Sequence, residues 1–99
     1  MRSPTRFERL VWSEVQRIEW GETKTYGEVA EAVGSAAQPT GNALRGLRQF
    51  PDVEAVVPWH RVTESDGLLR VNRRTREQAR LLLLEGHVVE LRRKTYQVK

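Results

Sequence analysis

TYGEVAEAVGSAAQPTGNALRG, Thr25 to Gly46, holds two short helical patterns separated by a break. Thr25 and Glu28 have the spacing of a capping box, in which each side chain satisfies a free backbone donor of the other. Tyr26, Val29, Ala30 and Val33 then form one apolar stripe, and Gly34 suits the position just past a helix end. After Ser35-Ala36-Ala37-Gln38, Pro39 begins or sits in the first turn of a further helix running to about Leu47. Two short helices joined by a tight Gly-containing turn have the form of a helix-turn-helix. The second of them, with Gly41, Asn42 and Ala43, would let a backbone approach DNA closely, while Arg45 and Arg48 reach phosphates. The same pattern also fits a helical hairpin packed for stability alone.

The flanks extend this reading. Ser3-Pro4 reads as an N-cap and first helical residue, followed by a stripe of Phe7, Leu10, Val11, Val15 and Ile18 that Gly21 stops. On the other side, Val53 to Val57 is an apolar run ended by Pro58, and Thr63 to Gly67 is turn chemistry. Thr75-Arg76-Glu77-Gln78 reads as a second capping box, opening a helix through Leu81–Leu84 that ends at Gly86. His87 to Leu91 and Thr95 to Val98 read as a terminal β-hairpin. The sum is an α+β fold: a mainly helical, winged-helix-like domain with a helix-turn-helix and a small β-hairpin, one domain over residues 1–99.

Composition narrows the function classes. The chain has 99 residues, no cysteine, and 17 Lys and Arg against 13 Asp and Glu, a net charge of +4. Without cysteine there is no disulfide, no thiolate metal ligand and no thiol nucleophile. A basic balance attracts polyanions, nucleic acid being the commonest. The longest apolar run, Leu81 to Leu84, is far below the roughly 18–20 residues of a membrane span, so no membrane partner is expected. The start, MRSPTRFERL, shows no signal-peptide core.

The chemistry centres on Val57-Pro58-Trp59-His60-Arg61. A His beside an Arg is equipment for activating a nucleophile, yet Trp59 is inert at neutral pH. Taken alone, His60 has weak support as a metal ligand, because the only other histidine is His87. No nucleophile motif accompanies it. A histidine satisfied inside the core, with Arg61 as a structural ion-pairing residue, fits equally.

The order of these features decides more. "TYG" opening a helix, a second helix ending "ALRG", then "VPWHRV", "DG" and "LLLLEG" resembles the C-terminal DNA-binding domain of O6-alkylguanine-DNA alkyltransferases, over about Phe7 to Gly86. Those repair proteins carry Pro-Cys-His-Arg, whose cysteine takes the alkyl group from guanine. Trp59 at that cysteine, with no counterpart here of the family's N-terminal domain, is similar to the alkyltransferase-like proteins. They bind alkylated guanine without repairing it and hand the lesion to nucleotide excision repair.

The resemblance implies roles residue by residue. Tyr26 matches the tyrosine that presses on the backbone beside the lesion and contacts the flipped base. Trp59 lines the base pocket with Val57 and Pro58. Pro39, Gly41, Asn42 and Arg45 fall on the recognition helix, and Gly67 to Arg73, with Asn72 and Arg73 toward the base, matches the loop over the pocket. His60 and Glu85 match a His–water–Glu relay that serves the thiol in active enzymes; without a thiol, His60, Arg61 and Glu85 are structural. Gln38 stands where the family has an intercalating arginine, and brings a hydrogen bond without the charge or the stacking plane.

The implied protein is a non-enzymatic damage sensor without metal or cofactor. Its partners are duplex DNA containing O6-alkylguanine and nucleotide excision repair proteins. It acts as a monomer, in the cytoplasm with the nucleoid if bacterial and in the nucleus if eukaryotic. Two rivals stand: a winged-helix transcriptional regulator with sequence preference but no lesion preference, and a residual glycosylase or hydrolase using His60 and Glu85.

Overall fold

A computed structural model describes residues 2–99. Helix α1 spans Arg6–Gln16, one turn later than Ser3-Pro4 implied. Thr5 is its N-cap: the Thr5 hydroxyl accepts from Glu8 N–H at 3.0 Å, and Glu8 Oε1 accepts from Thr5 N–H at 2.8 Å. The sequence offered two acceptable caps, and the reciprocal Glu three residues on selects Thr5. Leu10, assigned to the buried stripe, is exposed, and Trp12 takes the inward position.

The helix-turn-helix forms as expected. Strand β1 (Lys24–Thr25) leads into α2 (Tyr26–Ala32), capped by the Thr25–Glu28 box. Helix α3 (Ala37–Arg45) follows, beginning two residues before Pro39, whose missing N–H costs nothing within the first turn. Beyond it a tight 3-10 turn, Gly46–Gln49, and a four-residue helix α4 (Pro51–Glu54) occupy the segment expected to be an apolar run. Pro51 at the first helical position explains the difference. Val11, Trp12, Val15 and Ile18 of α1 and the turn after it pack with Val29, Ala43, Leu44, Leu47, Val57 and Val62 into the main core.

The chain then makes a 3-10 turn at Trp59–Arg61, strand β2 (Val62–Thr63) and a second 3-10 turn at Ser65–Gly67. β2 runs parallel to β1, Lys24 opposite Val62, and this short ladder ties the Trp59 segment to the start of α2. Strand β3 (Leu68–Arg70) leads to helix α5 (Arg73–Leu84). Its capping box is Asn72 with Thr75, not Thr75 with Gln78: Asn72 Oδ1 accepts from Thr75 N–H at 3.0 Å, and the Thr75 hydroxyl accepts from Asn72 N–H at 2.8 Å. Starting the helix at Arg73 buries Gln78 and Ala79 together with Leu82.

The terminal hairpin, β4 (Val89–Arg92) and β5 (Thr95–Val98), is antiparallel with Val89 opposite Val98. β5 also pairs with β3, giving sheet order β3-β5-β4 over a second core of Leu69, Leu82 and Val98. Gly67 makes this joint possible. A Cβ there would lie 2.7 Å from the Val98 carbonyl oxygen, and its φ of +75° is costly for other residues. The architecture is α+β, with a helix-turn-helix and a small antiparallel sheet. No helix among the described residues is long and apolar enough to cross a membrane.

Candidate nucleic-acid interface

Between the helix-turn-helix and the β3–α5 connection lies a cavity of about 850 Å³. Tyr26 from the first turn of α2, Gln38, Gly41 and Arg45 from α3, Trp59, and Asn72 and Arg73 all line it. Seven residues distant in sequence therefore share one wall-and-rim arrangement. Pro39 and Asn42 lie on α3 outside the lining, Asn42 accepting from the Arg45 guanidinium. Val57 and Pro58, expected beside the base, are corrected in the same way: the Val57 side chain is buried in the main core, and Pro58 stands just before the 3-10 turn, outside the lining. They hold Trp59 in place without facing the space it faces.

Arg48, Arg70 and Arg74 also border the cavity, and the sequence reading did not single them out as pocket residues. Arg74 is the most informative. Its guanidinium lies 4.0 Å from the Trp59 ring centroid and 3.5 Å from Glu54 Oε2. The indole face thus already holds a flat cation, anchored by a carboxylate from α4. Burial, and then the charge of Arg48, lower the Arg74 pKa from its ordinary value. Burial likewise raises the Tyr26 phenol, with Arg74 and Arg45 opposing that rise and Glu64 adding to it. Nothing in one sequence told Arg74 from Arg73 or Arg76; only its rotation about α5 puts it over Trp59.

Behind Trp59 stands a compact ionic network. His60 Nε2 lies 2.5 Å from Glu85 Oε2, with no intervening water position between them. Arg61 Nε donates to Glu85 Oε1 at 2.9 Å, and its Nη2 to Oε2 at 2.9 Å. Arg61 Nη1 donates to the Ile18 carbonyl at 2.9 Å, and Gly21 N–H to Glu85 Oε1 at 3.3 Å. Gly21 reaches that position with φ at +86°. Burial works against ionisation of Glu85, but the bonds from Arg61, His60 and Gly21 outweigh it and hold its pKa at about 2. The direct His60–Glu85 contact differs from the water-bridged relay that the resemblance implied. The His60 ring meets Trp59 edge-on at 6.1 Å between centroids, so the network also buttresses the indole. Among the described residues, no group of three His, Asp or Glu is placed to hold a metal ion.

The chain matches the family model described as the DNA-binding domain of 6-O-methylguanine DNA methyltransferase over residues 6–87. It is 34% identical over 85 residues to a methylated-DNA–protein-cysteine methyltransferase of Metallosphaera sedula, covering 86% of this chain and 52% of that protein. A counterpart in Sulfolobus acidocaldarius is 37% identical over 84 residues, covering 85% and 52%. The chain spans about half the length of these curated relatives. Among solved structures, S. pombe Atl1 in complex with damaged DNA containing O6-carboxymethylguanine matches with a TM-score of 0.80 and 32% identity, covering 100% of this chain and 93% of that one. Mycobacterium tuberculosis OGT in complex with DNA matches with a TM-score of 0.66 and 31% identity, covering 85% and 51%.

Proposed function

The chain belongs to the family of the 6-O-methylguanine DNA methyltransferase DNA-binding domain, and from that premise we propose that it senses O6-alkylguanine in duplex DNA without repairing it. One observation carries the reading. Trp59, in a chain without cysteine, lines the same cavity as Tyr26, Gln38 and Arg45. The relatives named for a protein cysteine accept a methyl group on sulfur; an indole offers neither a competent nucleophile nor a leaving-group partner. What it offers is a flat apolar face and one N–H.

In this reading α3 enters the DNA groove, Arg45 and Arg48 meet phosphates, and the alkylated nucleotide turns out of the helix into the cavity. Extruding a base costs a few kcal/mol, least where damage has weakened pairing. Stacking on an aromatic surface returns about 1–3 kcal/mol. Those magnitudes nearly balance, so a weakly paired lesion is held while normal guanine stays stacked. Arg74 sits on the indole face in the free protein. It must therefore move aside or form the opposite wall when a base arrives. The bound lesion is then passed to nucleotide excision repair, with the protein acting as a monomer wherever the cell keeps its DNA: cytoplasm and nucleoid in a bacterium, nucleus in a eukaryote.

The test is binding to matched duplexes with and without one O6-methylguanine, over a salt series. Affinity is expected to favour the lesion, and to fall by roughly 0.9 log unit per log salt for each phosphate contacted. Equal affinity for both duplexes defeats the sensor and favours a transcriptional regulator. A methyl adduct in the intact-protein mass defeats the noncatalytic reading, and loss of the base from the DNA reveals a glycosylase.

A further inference from the structure

The cavity contains one buried polar side chain whose bonding is half complete. Gln78, on α5, is 4% exposed and lines the cavity with Trp59. Its Nε2 donates to the His60 carbonyl at 3.1 Å and to the Val62 carbonyl at 2.6 Å. An amide nitrogen has two hydrogens, so both are used. This settles which end of the amide is nitrogen and turns Oε1 away from those carbonyls.

Among the described residues the hydrogen bonds of Gln78 are these two donations, and Oε1 accepts none. Oε1 is not sealed in protein either, since the fully buried side-chain atoms without a partner are Glu54 Oε2 and His87 Nε2. The space left to it is the cavity. An acceptor held rigid, nearly buried and unpartnered is a place where a ligand donor gains most, because the amide's orientation is already set.

Resting on the reading that an O6-alkylguanine base enters this cavity, we propose that Gln78 is a specificity-determining residue that accepts a hydrogen bond from the base's exocyclic 2-amino group. The chemistry of the base leaves one choice. Alkylation at O6 removes the N1 proton, so N1, N3, N7 and O6 are all acceptors. The 2-amino group is the only donor on the base. Gln78 Oε1 therefore identifies the guanine skeleton, while the alkyl group and the lost N1 proton weaken pairing and favour extrusion. The same amide braces the 3-10 turn carrying Trp59 through the His60 carbonyl, so base reading and indole placement share one side chain.

The experiment compares duplexes bearing O6-methylguanine or O6-methylhypoxanthine, which lacks only the 2-amino group. Each stands opposite an abasic site, so that no base pair differs between them. Wild-type protein is expected to bind the amino-bearing base about three- to tenfold more tightly, the size of one neutral hydrogen bond. In Gln78→Lys, whose ammonium still donates to both carbonyls but offers no acceptor, that preference is expected to vanish. Equal wild-type affinities overturn the proposal and leave lesion sensing intact. A preference fully retained by Gln78→Lys also overturns it, since another acceptor then reads the amino group. Failure to prefer O6-methylguanine over guanine in ordinary duplexes defeats the underlying reading instead. Should the lysine variant not fold, the Gln78 side-chain amide resonances of wild-type protein decide: they are expected to shift differently with the two duplexes, and identical shifts overturn the assignment.

Discussion

Trp12 and Trp59 are the same residue in two opposite situations. Trp12, on α1, is 4% exposed; its indole N–H donates to the Ala43 carbonyl at 2.8 Å, and its ring meets Phe50 at 5.7 Å. Its polar and apolar needs are both met inside the protein, and it locks α1 to the recognition helix α3. Trp59 is half-buried, faces a cavity, and has a mobile type of side chain, Arg74, on its ring. Among the described residues no partner takes its N–H. The difference teaches that an aromatic's surroundings, rather than its identity, divide folding from binding.

The contrast is sharpest under truncation. Trp12→Ala is expected to cost about 3–5 kcal/mol of folding stability, visible in a denaturant curve, with lesion binding lost only as far as the protein unfolds. Glu85→Ala acts between the two regions. It strips Arg61 and His60 of their buried carboxylate and is expected to cost about 3 kcal/mol, again measured by unfolding; a loss below a few tenths would show the network to be ornamental.

Trp59→Ala reverses the Trp12 pattern. Lesion binding is expected to weaken by about 1–3 kcal/mol, with a smaller stability loss than Trp12→Ala, so titration and melting curves must be recorded on the same preparation. If its stability loss equals that of Trp12→Ala, the comparison breaks. Gln38→Arg is the smallest effect. It is expected to tighten lesion binding by about 1 kcal/mol by adding a cation and a stacking plane at the α3 rim. An unchanged affinity would remove Gln38 from the insertion position.

Acid should attack both regions. Glu8, bonded to Arg2 beside the Trp12 helix, and Glu85, beneath Trp59, both have pKa values lowered from 4.5 to about 2. A carboxylate whose folded pKa is depressed contributes stability above its unfolded pKa and loses it as pH falls through the folded value. Melting temperature is therefore expected to fall between about pH 4.5 and 2. Glu85→Gln should flatten that fall in part, leaving the share due to Glu8.

The sequence by itself determined the helices, their order and the family. Capping boxes, glycine stops and apolar stripes are local, acting within about one helical turn, and the Thr25–Glu28 box appears as spacing predicts. Charge balance and the missing cysteine restricted the chemistry before any fold was known. Even local signals failed where two competed: Thr5 prevailed over Ser3 as a cap, and Asn72 over Thr75, because the helix that buries the better face wins. Only the tertiary structure decided that Arg74 covers Trp59, that Glu54 on α4 anchors it, and that Gln78 spends both amide hydrogens on the His60 and Val62 carbonyls. Each of those contacts joins residues 15 or more apart in the chain or depends on the rotation of α5. A periodicity cannot specify that rotation to one side chain; the packing of α5 against the sheet and the Trp59 turn does.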